Sequence, residues 1–269
     1  MSLSLLVRKN NIEKMQREVF DLIIIGGGIS GAGVARDAAM RGMKVALVEA
    51  DDFASGTSSR SSKLIHGGIR YLENFEFGLV FEALRERQNL FEMAPHLVHP
   101  LRFMLPVYEG ARVGMFKLGL GMWAYDALSS FEAPELHSRQ DKAEALQHNP
   151  YLNPEKLAGS YIYSDAYMDD DRLVIETLRS AASHGACIAN YVRASGAKFK
   201  EGQLSELVCQ DALSKKEFSI KGRHFVSTVG PWTDLVANEL LGEWRRIMRP
   251  SKGVHLTFSR KRLPIDEAV

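Results

Sequence analysis

The sequence predicts an α/β fold, and three features of residues 20–49 support this prediction. Residues 22–25 form an unbroken run of large aliphatic side chains, which is typical of a strand buried on both faces. A glycine-rich turn and a helix-like segment follow, and Gly42 is a residue type that commonly ends helices. Residues 44–48 have the composition of a second buried strand, which ends at Glu49. This order of elements is that of a Rossmann-like βαβ unit.

The turn carries Gly26, Gly28 and Gly31 at the G-x-G-x-x-G spacing of a dinucleotide-binding site. Gly26 allows the tight turn, Gly28 lets a pyrophosphate approach the backbone, and Gly31 lets the helix pack close to the strand. The helix N-terminus supplies N–H donors and the positive end of a dipole. Glu49 lies 23 residues after Gly26, where it can accept hydrogen bonds from ribose hydroxyls, which favours NAD or FAD over NADP. The motif alone does not choose between NAD and FAD, and a glycine-rich turn without a ligand is the alternative.

The composition limits the classes of protein to which this chain can belong. A hydrophobic content of 45% with 25% charged residues is ordinary for a globular protein, and a formal net charge of +1 gives no support to a nucleic-acid partner. The two cysteines are too few for a disulfide framework, which favours a reducing cytoplasm. The eight histidines show no convincing metal-ligand spacing, so we expect no metal site. No run reaches the roughly 18 apolar residues of a membrane-spanning helix.

A hydroxyl-rich segment, residues 55–63, follows the second strand and contains six hydroxyl side chains and two basic ones. Such a segment can form hydrogen bonds with phosphate and ring oxygens, and its basic residues offset negative charge. The alternative is a serine-rich surface loop, which does not account for His66, Gly67, Gly68 and Arg70 directly after it. Glycines at these positions permit the close backbone approach that a large planar ligand needs.

Residues 52–73, DFASGTSSRSSKLIHGGIRYLE, resemble the signature of FAD-dependent glycerol-3-phosphate dehydrogenases, the flavin enzymes that deliver electrons to quinone. The resemblance continues in four further segments, which are EALRERQNLFEMAPHLVHP (82–100), YSDAYMDDDRL (163–173), VGPW (229–232) and SKGVH (251–255). It covers nearly the whole chain from about residue 20, and it implies FAD rather than NAD.

The resemblance also implies an organisation into domains. We expect a Rossmann-like FAD-binding domain built from discontinuous segments, with an interleaved antiparallel β-sheet substrate domain. Members of the family run considerably further, so we expect the chain to be truncated. The implied segments are an N-terminal extension (1–18), the first part of the FAD-binding domain (19–95), a substrate- or membrane-facing insertion (96–160), the second part of the FAD-binding domain (161–235) and the start of the substrate domain (236–269).

The implied reaction is the FAD-dependent oxidation of sn-glycerol 3-phosphate to dihydroxyacetone phosphate, with a quinone as electron acceptor. The resemblance assigns Arg70 and Tyr71 to the substrate and makes His255 the candidate base, a role that suits imidazole because its ordinary pKa of about 6.5 lies near working pH. A lone histidine on a strand is more often a core residue than a catalytic one. The resemblance of the SKGVH segment to the family favours the catalytic role for His255 instead. The implied FAD-binding residues are Gly26, Gly28, Gly31, Glu49, Ser58, Ser59, Ser62, Lys63, Leu64, His66, Gly230 and Trp232.

Residues 113–128 are almost wholly apolar and allow two interpretations. They form either a core helix or an amphipathic segment that lies in a membrane interface with Met115, Phe116, Leu120 and Trp123 inserted. The resemblance favours the second interpretation, a cytoplasmic protein that is peripheral on the inner face of the cell membrane, and it allows a homodimer. Two other functions stay open: a flavin enzyme of the amino-acid or amine oxidase type, and a catalytically inactive FAD-domain fragment.

Hydrophobic periodicity predicts the remaining elements. The predicted helices cover 75–92, 140–148 and 172–184, and the predicted strands cover 103–108, 160–163, 187–192, 204–208, 217–220, 223–228 and 248–258.

Overall fold

The computed structural model describes residues 3–265 and 267–269. In this part of the chain the helices α1 to α7 span Leu5–Arg17, Ile29–Met40, Phe77–Met93, Met115–Leu128, Lys142–His148, Asp170–Ser183 and Thr233–Leu241. The strands β1 to β10 span Val19–Ile25, Val45–Val48, Leu64–Ile65, Val98–Tyr108, Ser138–Gln140, Leu157–Met168, Cys187–Ala189, Val192–Lys200, Gln203–Asp211 and Glu217–Ser227.

The chain divides into two compact units, each formed by two separate stretches. Unit 1 comprises Met1–Ser61 and Asp170–Gly253, and unit 2 comprises Ser62–Asp169 and Val254–Val269. The mixed α/β fold with discontinuous segments is confirmed, whereas the five segment boundaries drawn from the resemblance stay a prediction.

Unit 1 contains a six-stranded sheet in the order β7-β2-β1-β10-β9-β8. The strands β7, β2 and β1 are parallel, and β1 pairs in parallel with the C-terminal half of β10. The two faces of β1 are both covered, because Leu22 and Ile24 lie in the apolar cluster formed with α2 and α6, while Ile23 and Ile25 lie in the cluster that contains Met15 of α1. The prediction of a strand buried on both faces is therefore confirmed.

Unit 2 contains an antiparallel sheet centred on β6, which pairs with β3, β4 and β5. Side chains alternate between the faces of a strand, so Tyr161, Tyr163 and Asp165 of β6 share one face. Tyr161 and Tyr163 belong to an apolar cluster with residues of α3 and α4, which include Leu84 and Tyr125. This face of β6 positions the candidate site of unit 2.

Three predicted strands of unit 1 are wrong in their limits. Residues 187–192 contain the whole of β7 and the first residue of β8, because the chain turns at Tyr191, whose φ is +52°. Residues 217–220 and 223–227 are not in separate strands but belong to the single strand β10, which ends one residue before the predicted limit at 228. Gly222 lies between these two stretches and does not form a turn. It lets the backbone of β10 pack closely against Ile23, since a Cβ at Gly222 would lie 2.5 Å from Cδ1 of Ile23. The C-terminal part of β10 is partly exposed.

The predicted strand over residues 248–258 is wrong. Residues 251–259 have no regular secondary structure, and Val254 and Leu256 are each 77% exposed. A pattern of alternating apolar residues forms a strand only when a neighbouring strand pairs with it, and within the described residues this segment pairs with none of the strands β1 to β10.

Candidate cofactor and substrate sites

The turn between β1 and α2 requires glycine at two of the predicted positions. Gly26 has φ of +111°, and a Cβ there would lie 2.8 Å from the carbonyl oxygen of Thr228. A Cβ at Gly31 would lie 1.9 Å from the carbonyl oxygen of Gly26. The glycines therefore let the backbone of α2 approach β1 and the residue that follows β10, as the sequence motif predicts.

Gly28 is the N-cap of α2 and leaves the N-terminus of this helix without a capping side chain of its own. The hydroxyl of Ser58 accepts a hydrogen bond from the backbone N–H of Ile29 at 2.9 Å. A neutral oxygen thus lies at a helix N-terminus, where N–H groups and the helix dipole favour the oxygens of a phosphate. The residues present therefore fit the pyrophosphate of a dinucleotide.

Glu49 follows β2 and accepts two backbone hydrogen bonds. One carboxylate oxygen accepts from the N–H of Gly27 at 2.6 Å, and the other accepts from the N–H of Asp51 at 2.9 Å. Since each carboxylate oxygen has more than one lone pair, both can also accept from ribose hydroxyls. The two backbone bonds fix the carboxylate beside the glycine turn, which fits the predicted role.

The hydroxyl-rich segment and the VGPW turn meet within unit 1. Residues Thr57–Ser59 form a short 3₁₀-helix, and Ser59 donates a hydrogen bond to the carbonyl oxygen of Gly56 at 3.4 Å. A Cβ at Gly56 would lie 3.0 Å from Cζ3 of Trp232. Gly230, with φ of +55°, begins the 3₁₀-helix that carries Trp232. The structure thus brings Trp232 to the segment that contains Ser58 and Ser59.

The remaining predicted FAD-binding residues belong to unit 2. Ser62 and Lys63 are exposed, and Leu64 begins β3, where it pairs with Tyr167. His66 follows β3 directly and is exposed.

A cavity of about 290 Å³ lies in unit 2 and contains three of the predicted site residues. It is lined by His66, Gly68, Ile69, Arg70, Tyr71, Tyr163 and Asp165. Tyr163 and Asp165 lie on one face of β6 and were not predicted as site residues from the sequence. A charged residue among the apolar and aromatic positions of 157–168 is the signal that could have indicated Asp165.

The turn at Gly67 and Gly68 is crowded by the side chains of the protein itself. A Cβ at Gly67 would lie 2.4 Å from Cδ2 of Leu84 and 2.5 Å from the hydroxyl of Tyr125. Gly68 has φ of +70°, and a Cβ there would lie 2.4 Å from the ring of Tyr71. The packing of Leu84, Tyr125 and Tyr71 thus requires glycine at both positions, and the expectation that these glycines permit the approach of a planar ligand stays a prediction.

A buried polar cluster lies beneath this turn. Asp165 and Arg87 are each 1% exposed, and Nη1 of Arg87 donates to Oδ1 of Asp165 at 2.6 Å. The hydroxyl of Tyr125 lies 2.8 Å and 3.0 Å from the two oxygens of the same carboxylate. Burial raises the pKa of the Asp165 carboxyl, and the positive charge of Arg87 opposes that shift. Burial and the neighbouring carboxylate also raise the pKa of Tyr125, which keeps this phenol protonated.

His255 is exposed in the irregular segment 251–259 and does not line the cavity. The structure therefore brings His66, Arg70 and Tyr71 together and leaves His255 apart from them. Its role as a base stays a prediction.

Helix α4 is buried on one side and exposed on the other. Met122 and Tyr125 are buried, whereas Phe116, Leu120 and Trp123 are exposed by 81%, 57% and 62%. The core-helix interpretation thus fits the buried face of α4, and the interface interpretation stays a prediction for its exposed face. Across residues 3–265 and 267–269, no helix has the length and apolar character needed to cross a membrane.

One protein of known sequence and one solved structure are similar to this chain over most of its length. The chain is 39% identical to the aerobic glycerol-3-phosphate dehydrogenase of Staphylococcus aureus (strain USA300), over 100% of this chain and 48% of that protein. It thus spans about half the length of the curated relatives it matches. The glycerol-3-phosphate dehydrogenase from Bacillus halodurans, solved in complex with FAD, is 31% identical with a TM-score of 0.68, over 86% of this chain and 38% of that one.

A more distant structure shares the fold alone. The L-proline dehydrogenase from P. horikoshii is 17% identical with a TM-score of 0.61, over 82% of this chain and 56% of that one. The family description "FAD dependent oxidoreductase" matches residues 21–268, which is almost the whole chain. The protein therefore belongs to the FAD dependent oxidoreductase family, whose cofactor is FAD.

Proposed function

We propose that this chain is the FAD-binding part of an enzyme that oxidises sn-glycerol 3-phosphate to dihydroxyacetone phosphate and passes the electrons to a quinone. The proposal is supported by the 39% identity to a glycerol-3-phosphate dehydrogenase across the whole chain. The observation that carries it is the cavity of unit 2, which Arg70, Tyr71 and His66 line together. A guanidinium and two hydrogen-bonding rings suit a small phosphorylated alcohol.

The geometry of unit 1 supports the residues proposed to hold the pyrophosphate and ribose of FAD. Gly26, Gly28 and Gly31 open the backbone to the pyrophosphate, Ser58 and Ser59 add hydroxyl groups, and Glu49 accepts from the ribose. Bound FAD would supply the acceptor for the hydride of the oxidised substrate carbon. Ser62, Lys63, Leu64, His66, Gly230 and Trp232 complete the proposed set of FAD-binding residues.

The residues proposed to act on the substrate have separate tasks. Arg70 binds the phosphate or the substrate oxygens through its guanidinium fork, and Tyr71 donates or accepts a hydrogen bond beside it. His255 is the proposed base that takes the proton of the oxidised hydroxyl group, since neutral imidazole can accept a proton near pH 7.

Association with the inner face of the cell membrane is part of the same proposal. The exposed apolar stripe of Phe116, Leu120 and Trp123 on α4 supports it, because aromatic and aliphatic side chains at helical spacing insert into the interfacial region of a bilayer. An acceptor that is itself dissolved in the membrane, such as a quinone, would favour this location.

The proposal is tested by anaerobic mixing of the purified flavoprotein with glycerol 3-phosphate, followed by the loss of flavin absorbance. Rapid bleaching by glycerol 3-phosphate, with L-proline and glycine inert under the same conditions, is the expected result. Bleaching by an amino acid instead would show an enzyme of the amine-oxidising type. A yellow protein that none of the three compounds bleaches would show a flavin-binding chain without this activity, and a colourless one would contradict flavin binding itself.

A further inference from the structure

We propose that Tyr125, Asp165 and Arg87 are positioning residues that hold the backbone N–H of Gly67, and through it place Arg70 and Tyr71 at the cavity of unit 2. The effect on the substrate rests on the proposed function, whereas the effect on the turn does not.

The hydrogen bonds of this cluster form a chain that ends at the turn. The N–H of Gly67 donates to the hydroxyl of Tyr125 at 2.9 Å, and it also lies 3.3 Å from Oδ1 of Asp165. A phenol has one proton to donate, and the proton of Tyr125 goes to the carboxylate of Asp165. Arg87 completes the chain with its donation to the same carboxylate. Tyr125 therefore accepts from the turn on one side and donates to the carboxylate on the other.

The buried charges of this cluster make it a poor choice for stability alone. Two buried charges lose their hydration, and a well-packed apolar set of similar volume is often as stable or more stable. Nη1 of Arg87 also donates to the carbonyl oxygen of Ser164 at 3.0 Å, yet within the described residues its buried Nε has no hydrogen-bond partner. This cost indicates that the cluster serves to fix the position of the Gly67 backbone through directional hydrogen bonds rather than to maximise stability.

The held residue is close in sequence to the residues that line the cavity. Gly68 adopts the left-handed conformation, and the N–H of Tyr71 donates to its carbonyl oxygen at 2.8 Å, which starts the 3₁₀-helix Ile69–Asn74. Only two residues separate Gly67 from Arg70, so a shift of the Gly67 peptide moves the start of this helix. The side chains of Arg70 and Tyr71 would move with it.

Two single-atom changes in one apolar cluster separate this role from a general contribution to stability. Tyr125→Phe removes the hydroxyl that accepts from Gly67. Tyr161→Phe is the matched control, because Tyr161 is also buried in the cluster but its hydroxyl donates to the carbonyl oxygen of Met115 instead. Both variants lose one hydroxyl from the same apolar cluster, but only Tyr125→Phe removes a hydrogen bond to Gly67.

The first measurement is hydrogen exchange of the Gly67 amide in the purified FAD-loaded protein, read from short peptic fragments. Tyr125→Phe should speed exchange at Gly67 by about twofold to tenfold relative to Tyr161→Phe, since the loss of one hydrogen bond shifts local opening by this much and the remaining 3.3 Å contact is weak. Equal exchange at Gly67 in the two variants would overturn the proposal.

The second measurement is the steady-state kinetics of the same two variants with glycerol 3-phosphate. Tyr125→Phe should raise KM by about twofold to tenfold with kcat nearly unchanged, and Tyr161→Phe should change neither. Fast exchange at Gly67 with an unchanged KM would overturn the link to Arg70 and Tyr71. If the wild-type protein does not oxidise glycerol 3-phosphate, only the proposed function is contradicted. The rates of Gly67 amide exchange in the two variants still decide whether the cluster holds the turn.

Asp165→Asn is the second variant and is measured in the same way if Tyr125→Phe yields too little folded protein. It keeps the side-chain volume but replaces the carboxylate that receives the Tyr125 and Arg87 hydrogen bonds. Faster exchange at Gly67 than in Tyr161→Phe supports the proposal, and unchanged exchange overturns it.

Discussion

Arg8 of α1 donates a hydrogen bond to Asp211 at the end of β9, at 2.5 Å and across 203 positions of the sequence. The same guanidinium donates to the carbonyl oxygens of Asn190 at 2.8 Å and Tyr191 at 3.3 Å. The two side chains are only 11% and 8% exposed. A segment whose sequence predicted no more than an N-terminal extension thus fastens the turn between β7 and β8.

The first prediction concerns this pair. Arg8→Ala should lower the free energy of unfolding by about 3 kcal/mol at pH 7, because it leaves the Asp211 carboxylate without its charged partner in a largely buried site. Lys9→Ala, at an exposed position of the same helix, should change it by less than about 0.5 kcal/mol. Urea denaturation of the two variants measures the difference, and equal losses would show that Arg8 contributes no more than a surface charge.

The same pair should also make the stability of the protein depend on pH. Burial alone would raise the pKa of Asp211, but the hydrogen bonds from Arg8, Ser214 and the Leu213 backbone outweigh it and lower that pKa below its ordinary value. The pair therefore contributes fully to the free energy of unfolding above the unfolded-state Asp pKa of about 3.9. This contribution is lost as the pH falls through the lowered folded-state pKa of Asp211. The stability difference between wild type and Arg8→Ala should be full at pH 7 and should shrink in this acid range.

A second prediction tests the cofactor site. Gly28→Val places branched carbons at the helix N-terminus where the pyrophosphate should meet the backbone, so FAD occupancy should collapse. The fold should survive, because a Cβ at Gly28 meets only the hydroxyl of Ser58, at 3.0 Å. Gly33→Val in the same helix is the control, since a Cβ there meets nothing within 4 Å. Absorbance at the flavin band measures occupancy, and a fully yellow Gly28→Val protein would refute the assignment of this turn to FAD.

A third prediction separates Arg70 from His255. Loss of a charge-assisted contact costs about 1.5–3 kcal/mol, so Arg70→Ala should raise KM for glycerol 3-phosphate by roughly tenfold to a hundredfold. His255→Ala should lower kcat by about a hundredfold or more if the imidazole takes the substrate proton. Stopped-flow bleaching at saturating substrate measures the chemical step. If the flavin of His255→Ala bleaches as fast as that of wild type, His255 is not the base that takes the substrate proton.

A fourth prediction addresses the exposed face of α4. Changing Phe116 and Trp123 to Ser should release the protein from vesicles, because both aromatic side chains are exposed and available for the interface. Turnover with a soluble dye should not change. Phe199→Ser is the control, because Phe199 is also exposed but lies on β8 of unit 1. Sedimentation with lipid vesicles gives the bound fraction, and equal binding by both variants would contradict an interfacial role for α4.

The sequence was most informative where structure depends on neighbours along the chain. The aliphatic run, glycine spacing and terminal glutamate predicted β1, α2, β2 and the position of Glu49 correctly, since local patterns determine such a unit. The hydroxyl-rich segment likewise indicated Ser58, which lies at the N-terminus of α2.

Long-range contacts account for what the sequence could not predict. Asp165 becomes part of the candidate site only because β6 brings it to Arg87 and Tyr125, residues 78 and 40 positions away. Two strands were predicted on either side of Gly222 where the structure has one. The close packing of Gly222 against Ile23 depends on the pairing of β10 with β1, which the sequence around Gly222 does not indicate. The alternation in residues 248–258 met no pairing partner among the described strands, so local preference was overridden by context.

The pairing of β1 with β10 has a consequence for how the protein is made. Val19 pairs with Lys221 and Ile25 pairs with Ser227, so one edge of a mostly apolar strand lacks its partner until about 200 further residues have left the ribosome. At typical synthesis rates this interval is about 10–40 s. An unpaired hydrophobic strand edge is a template for aggregation. The yield of soluble protein should therefore depend on translation speed and on chaperones that occupy the nascent chain during that interval.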